Sequence, residues 1–274
     1  MHSSCILISV YFQNSISELS LAIDSVINAD WTRSNYTILV YVDGPISAKF
    51  DSYLKSIPNC QITYGNENRG LSFGLHHLTS NNKMYDFYFR MDSDDISLPD
   101  RFIKQIKFLE CNPHINVLGG SIVEFRNADY KSGFQRTYPL EHGQILDSFH
   151  KGSQIAHVTA CFRNSFFRNV NYNPFNKINE DLELWYDSIK AGIIFSNLPD
   201  ILVYVRTSPS FFKRRGLKKA INEFLFMVKI THITNSGFKS YMFPLCRLIF
   251  RLLPTQLTSL LYKCKIRNSL LIKK

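Results

Sequence analysis

The stretch YDFYFRMDSDD, residues Tyr85 to Asp95, decides how this chain is read. Its first half, Tyr85-Asp86-Phe87-Tyr88-Phe89, has the aromatic, β-forming composition of a strand. Its second half puts three carboxylates, Asp92, Asp94 and Asp95, within four positions. Such a cluster repels itself unless something positive lies beside it. Three readings compete. One is a solvated turn that caps the following helix. A second is a calcium loop, which fails because the sixth position is Ser97 rather than glycine and the twelfth is Ile103 rather than an acid. The third is a D-x-D site at a strand end, where one or two carboxylates hold a divalent ion that in turn binds a diphosphate. D-x-D alone is common by chance, so its context has to decide.

Upstream, CILISVYF (5–12), YTILVYVDG (36–44) and CQITYG (60–65) carry strand signals. Between them, Leu19, Ala22, Ile23, Val26 and Ile27 share one helical face, residues 46–57 look helical, and another helix begins at Leu71 to Leu78. Downstream, Pro99 and Asp100 suit the first turn of a helix whose apolar face is Phe102, Ile103, Ile106 and Leu109. INVLGGSIVEF (115–125) is strand-like again. Strands alternating with helices at this spacing imply a doubly wound α/β sheet. Ligands of such sheets bind beyond the carboxyl ends of strands, where Asp43 and Asp92 both fall.

With 274 residues and 45% apolar content, the chain suffices for one sizeable core and an appendage. Its six cysteines occur singly, without a C-x-x-C pair, which argues against a zinc ribbon or redox motif and fits a reducing compartment. The N-terminus reads as a first strand rather than a signal peptide, and no apolar run is long enough to span a membrane. The formal charge of +10 is uneven: residues 211–274 hold 14 Lys and Arg and one acid, Glu223. That leaves 18 basic and 21 acidic residues for positions 1–210. A near-neutral body with a basic docking tail is the expectation, rather than a uniform nucleic-acid binder.

The block RMDSDDISLPDRFIKQIKFLECNPHINVLGG resembles the core of bacterial family 2 glycosyltransferases of O-antigen and capsular polysaccharide synthesis. Other blocks resemble the family in order: SVYFQN, VYVDGP, ENRGLSFGLHHL, IAHVTACFRNSFF and NEDLELWYDSIKAG. The similarity covers roughly residues 5–205. Departures are small: Gly74 and His76-His77 stand at positions usually held by other residues, and His157-Val158 replaces the common His-Pro. The resemblance implies the GT-A fold, a Rossmann-like mixed sheet flanked by helices, over residues 1–210. The basic helical extension then occupies 211–274.

Several roles follow from the resemblance. Asp94 would be the ligand of Mn²⁺ or Mg²⁺, and Asp92 would share the metal or contact the ribose. That cation would be the positive partner of the acid cluster. Asp43 would accept a hydrogen bond from a uracil-like imide, although Asp-Gly-Pro is also ordinary turn chemistry. Ser9 and Tyr11 would flank the base or serve as sheet-face residues, and Arg69 would approach the nucleotide or be a surface loop charge. Asp181 would be the general base of a direct, inverting displacement, with Glu180 as the alternative base or as an orienting group. Acids are favoured at a helix N-terminus in any case. His157 would contact metal or diphosphate, or be a structural histidine.

In the tail, KRRGLKKAINEFLFMVK (213–229), FPLCRLIFRLLP (243–254) and LLYKCKIRNSLLIKK (260–274) are basic and amphipathic, and Arg247 and Arg251 share a helix face. They suit an anionic membrane surface, or packing on the body, or both. The expectation is a metal-dependent transferase moving a sugar, from UDP or from dTDP as dTDP-rhamnose, to a lipid-linked saccharide. Its place is the cytoplasm, peripheral on the inner face of the bacterial inner membrane. The alternatives are a sugar-nucleotide-binding protein without turnover and a nucleic-acid-binding protein. The latter leaves both acid clusters without a purpose, so no nucleic-acid partner is expected.

Overall fold

The run CILISV supplies the centre of strand β1 (His2–Val10), where Cys5, Ile6, Leu7, Ile8 and Val10 have no solvent exposure. A strand buried on both faces belongs inside a sheet covered by helices on both sides. The computed structural model, which describes residues 1–126, 130, 133–207, 217–234 and 236–252, has that arrangement. Around β1 lie β2 (Ser34–Val42), β3 (Cys60–Tyr64) and β4 (Phe87–Arg90), all parallel, in the order β3-β2-β1-β4.

The sheet continues through β8 (Cys161–Arg163), β6 (Val117–Phe125), β9 (Phe195–Arg206) and the two-residue β5 (Ile96–Ser97), with β7 (Phe134–Arg136) beside β6. β8 runs antiparallel to both β4 and β6, whereas β9 is parallel to β6. The sheet is therefore mixed. Strand order reverses between β1 and β4, which opens a crevice at their carboxyl ends.

One face is covered by α1 (Ile16–Ile27), α2 (Ala48–Lys55) and α4 (Arg101–Cys111), packed on Ile6, Ile8, Ile38 and Val40. Ser15 caps α1 by accepting the Glu18 amide, and Leu19, Ala22, Ile23 and Val26 are buried, as their spacing requires. The other face is covered by α3 (Leu71–Asn81), α5 (His142–Ser148), α6 (Phe166–Asn169), α7 (Glu180–Lys190) and Ile230 of α8 (Leu217–Ile233). A last helix, α9 (Met242–Leu252), packs on α8.

One expected strand is shorter than its sequence suggests. Val158 to Phe162 reads as extended, yet His157–Thr159 forms a 3₁₀ turn, and only Cys161–Arg163 joins the sheet. Side chains supply the bonds that a ladder would have made. Thr159 Oγ1 donates to Ala156 O at 2.8 Å, and the buried Gln105 donates to Thr159 O at 2.9 Å. Of the basic tail, the KRRG start (213–216) and LLYKCKIRNSLLIKK lie outside the described residues.

Candidate active site

The crevice is built from loops at the carboxyl ends of β1, β2 and β4. Asp43 directly follows β2, and its side chain is buried. One carboxylate oxygen accepts the Arg69 amide at 2.7 Å and the other the Gly70 amide at 2.8 Å. A carboxylate has about four lone-pair sites, so acceptor capacity remains. Gly70 has φ of +95°, and that turn aims both amides at Asp43. Arg69 itself places its guanidinium carbon 3.7 Å from the centre of the Phe73 ring. Ser9 is half-buried under α3: a Cβ on Gly74 would lie 2.9 Å from its Oγ and 2.7 Å from Tyr41 Cδ1. Tyr11 is half-buried and donates its hydroxyl to Gln13.

The acid run follows β4, and its positive neighbours within the protein are arginines that the sequence reading left out. Arg90 ends β4 with a side chain 1% exposed, ion-paired to Asp92 and donating to Met91 O. Beneath it, the fully buried Arg101 of α4 donates to Arg90 O at 2.8 Å and to Gln105 at 3.1 Å, and burial draws its guanidinium pKa down to about 9. Arg206, at the end of β9, gives its amide to Asp95 Oδ1 at 2.8 Å and its Nε to Asp94 O at 3.1 Å. It also lies 3.4 Å from Glu18.

The carboxylates are not equal. Asp92 is paired and partly exposed. Burial, then the charges of Asp92 and Glu18, push Asp94 up to about 6. Asp95 is fully buried, held well above the usual carboxylate range by burial and then by the charges of Asp92 and Asp94. It serves β9 rather than the crevice.

His157 is not brought to these carboxylates as a ligand. Its Nε2 is 2.8 Å from the Tyr172 hydroxyl, and burial, with Arg90 nearby, holds it well below its ordinary pKa. Among the described residues, no group of three or more His, Cys, Asp or Glu is placed to hold a metal ion. What remains is a pair, Asp92 and Asp94. Two carboxylates suffice for a hard cation whose other ligands are phosphate oxygens and water.

The second acid group opens α7. Burial, and then Glu180, raise Asp181 to about 7. Asn179 precedes it in the left-handed conformation (φ 56°, ψ 47°), which asparagine tolerates better than most residues. Its Nδ2 donates to Lys219 O at 3.2 Å and to Asn222 at 2.9 Å, tying the start of α7 to α8. Trp185, on the same helix, is fully buried and packs against Phe162 rather than bordering the crevice. Tyr172 links the two groups. Burial raises its phenol, Arg90 opposes that, and Glu180, Asp181 and Asp92 add to it. The carboxylates of both groups thus act on one buried hydroxyl. A groove of about 950 Å³ between the first turns of α1 and α2 contains none of these acids.

The model of glycosyl transferase family 2 matches residues 5–171, which take in Asp43 and the whole acid run. The chain belongs to glycosyl transferase family 2. An uncharacterized glycosyltransferase of Haemophilus influenzae is 30% identical over 96% of this chain and 98% of its own. The UDP-Gal:alpha-D-GlcNAc-diphosphoundecaprenol beta-1,3-galactosyltransferase of Escherichia coli is 27% identical over 97% of each chain. Among solved structures, the mannosyltransferase PcManGT of Pyrobaculum calidifontis, in complex with GDP-Man and Mn²⁺, shares the fold with a TM-score of 0.59. That match is 12% identical and covers 98% of this chain and 80% of the other.

This family 2 glycosyltransferase therefore has a GT-A-like mixed sheet with a C-terminal helical extension, and it transfers sugar from a nucleotide-sugar donor. The α7–α8 contact lies beyond residue 171, where the family match ends. Of the unforeseen arginines, Arg101 carried one readable signal. It falls four residues before Gln105, on the arc that also buries Phe102 and Ile106.

Proposed function

We propose that this glycosyltransferase moves a hexose or N-acetylhexosamine from a UDP-sugar to a hydroxyl of a lipid-linked saccharide in surface-polysaccharide synthesis, inverting the anomeric carbon. Asp181 carries this reading. A buried carboxyl pushed up to about 7 suits a general base working near neutral pH. In the step, the Asp181 carboxylate takes the acceptor hydroxyl proton while that oxygen bonds to the anomeric carbon. The bond from that carbon to the diphosphate oxygen breaks on the opposite side, and its electron pair leaves with UDP. Glu180 keeps the Asp181 carboxyl high and orients it.

Asp94, with Asp92, would hold Mn²⁺ or Mg²⁺. Such an ion, when bound, offsets charge growing on the leaving diphosphate. The raised carboxyl of Asp94 beside Asp92 supports this assignment, because a cation would relieve their repulsion. Asp43, its carboxylate fixed by two amides, would accept the N–H of the base, with Ser9, Tyr11 and Arg69 around the nucleotide. His157 stays with Tyr172 in the wall of the crevice. The E. coli relative's lipid-diphosphate acceptor supports a lipid-linked acceptor here, with the enzyme peripheral on the cytoplasmic face of the bacterial inner membrane. No helix among the described residues is long and apolar enough to cross a membrane.

Calorimetry with UDP, GDP and dTDP, each with and without Mn²⁺, tests the donor site. UDP should bind only with the metal, and Asp94→Ala should abolish binding while keeping the wild-type circular dichroism spectrum. Preference for dTDP would move the donor to dTDP-rhamnose. Folded protein that binds no nucleotide sinks the reading.

A further inference from the structure

An amphipathic surface helix normally turns its apolar stripe inward and its charges to water. Helix α9 departs from this. Its two arginines are tied to the protein, Arg251 largely covered and Arg247 still 42% exposed: Arg247 Nε lies 2.6 Å from Glu223 Oε1, and Arg251 Nη2 lies 2.5 Å from Glu223 Oε2. Glu223 is 5% exposed on α8. The outward residues are Met242, Leu245, Cys246, Ile249 and Leu252, a repeat of i, i+3, i+4, i+7 and i+10 with no charge in it. Four of them are 42–56% exposed, and Phe238, in the turn just before α9, is 88% exposed.

We propose that this outward face of α9, with Phe238, inserts into the headgroup and upper acyl region of an anionic phospholipid bilayer. The inference deepens the lipid-linked acceptor reading and rests on it. It assigns membrane contact to one apolar face of α9, whereas the sequence alone offers basic amphipathic segments without saying which face points outward. Three observations favour a bilayer over other occupants. The helix is 11 residues long, which suits lying in the interface and not crossing it. Basic groups surround the apolar face: Lys239 is exposed beside Phe238, and Lys151 Nζ sits 6.0 Å from the Phe243 ring. The chain continues past Leu252 for 22 residues with five Lys and Arg and no acid, which favours an anionic surface over an acid-poor protein partner. The sole acid of residues 211–274, Glu223, is already paired with the two arginines.

The test is co-sedimentation of the full chain with phosphatidylcholine/phosphatidylglycerol vesicles at low and high salt, without donor or acceptor. Binding should survive high salt, weakened by about tenfold through loss of the electrostatic part. Leu245→Glu/Ile249→Glu should abolish it and leave metal-dependent UDP binding intact, so this inference and the transferase reading fail separately. If that variant does not fold, a dye on Cys246 decides instead, in a Cys111→Ser/Cys264→Ser background. Its emission should shift to the blue on vesicles. Unchanged emission overturns the proposal. So does binding lost entirely in salt, which would mean headgroup contact through charge alone. Absence of vesicle binding also overturns it: with a concentration-dependent dimer, a second copy covers the face; with a monomer, residues 253–274 do.

Discussion

The two acid groups of the crevice share a problem, carboxyls raised by burial and by a neighbouring acid, and differ in the cations around them. Asp92 to Asp95 sit over fixed positive charge, with Arg90 and Arg101 buried below and Arg206 alongside. Glu180 and Asp181 have no arginine beside them among the described contacts; Lys219 is the cation that acts on Asp181, and burial outweighs it. Guanidinium beside a carboxylate favours its charged form, whereas burial and a neighbouring acid make a carboxyl hold its proton towards neutral pH. Asp92, ion-paired to Arg90, therefore differs from Asp94 and Asp95, whose carboxyls burial raises as it raises Asp181.

The sharpest way to break this contrast is Asp181→Asn. Transfer should fall by about 10²–10⁴-fold, the usual worth of a positioned base, while UDP affinity stays within error. Wild-type kcat/KM should rise with pH through about 7, because the base must be ionised, and the variant should lose that limb. Stability should move the other way. The folded carboxyl binds its proton more tightly than the unfolded one, so its favourable contribution is present at low pH and is lost as pH rises through about 7. Asp181→Asn should therefore melt higher than wild type at pH 8, with the gap closing towards pH 5. Loss of UDP affinity would instead place Asp181 in the donor site.

Arg90→Met attacks the other group. It removes the buried charge that pairs with Asp92 and lies near Asp95. Removing one partner of a buried pair costs about 3–5 kcal/mol, and the low end applies here because Asp92 keeps some solvent. Urea unfolding should show that loss at pH 7, and adding Asp92→Asn should recover part of it by removing the unpaired partner. A loss that Asp92→Asn leaves unchanged would mean that Arg90 matters for packing alone.

The difference between the groups also explains what could be read in advance. Alternating strands and helices, the strand-end positions of Asp43 and Asp92, and the buried arcs of α1 and α4 follow from period and composition, which are local. Arg90 could not be read so easily. An arginine that ends an apolar strand looks like a surface residue until β8 and the turn at His157 close over it. Arg206 is 111 residues from the Asp95 oxygen that takes its amide, and no spacing rule reaches that far. The tail shows the same limit in reverse. Its helix periodicity was legible in Arg247 and Arg251, but which face turned inward depended on Glu223, in a different helix.

The smallest expected effect tests whether the proton-exchanging group is positioned from outside its own helix. Asn179 holds a left-handed backbone and two hydrogen bonds to α8, and a single substitution can separate these. Asn179→Gly keeps the backbone geometry free of strain and removes both bonds. Asn179→Ala removes the bonds and adds the cost of a left-handed alanine, about 1–2 kcal/mol. If α8 steadies the start of α7, the glycine variant should lose about 1 kcal/mol of stability and several-fold in kcat, with the donor KM unchanged. The alanine variant should lose the same kcat but more stability. If glycine restores full turnover and only alanine is impaired, the backbone alone sets Glu180 and Asp181. The contrast between the acid groups would then be a property of α7 by itself, and α8 would serve only to bring α9 to the surface.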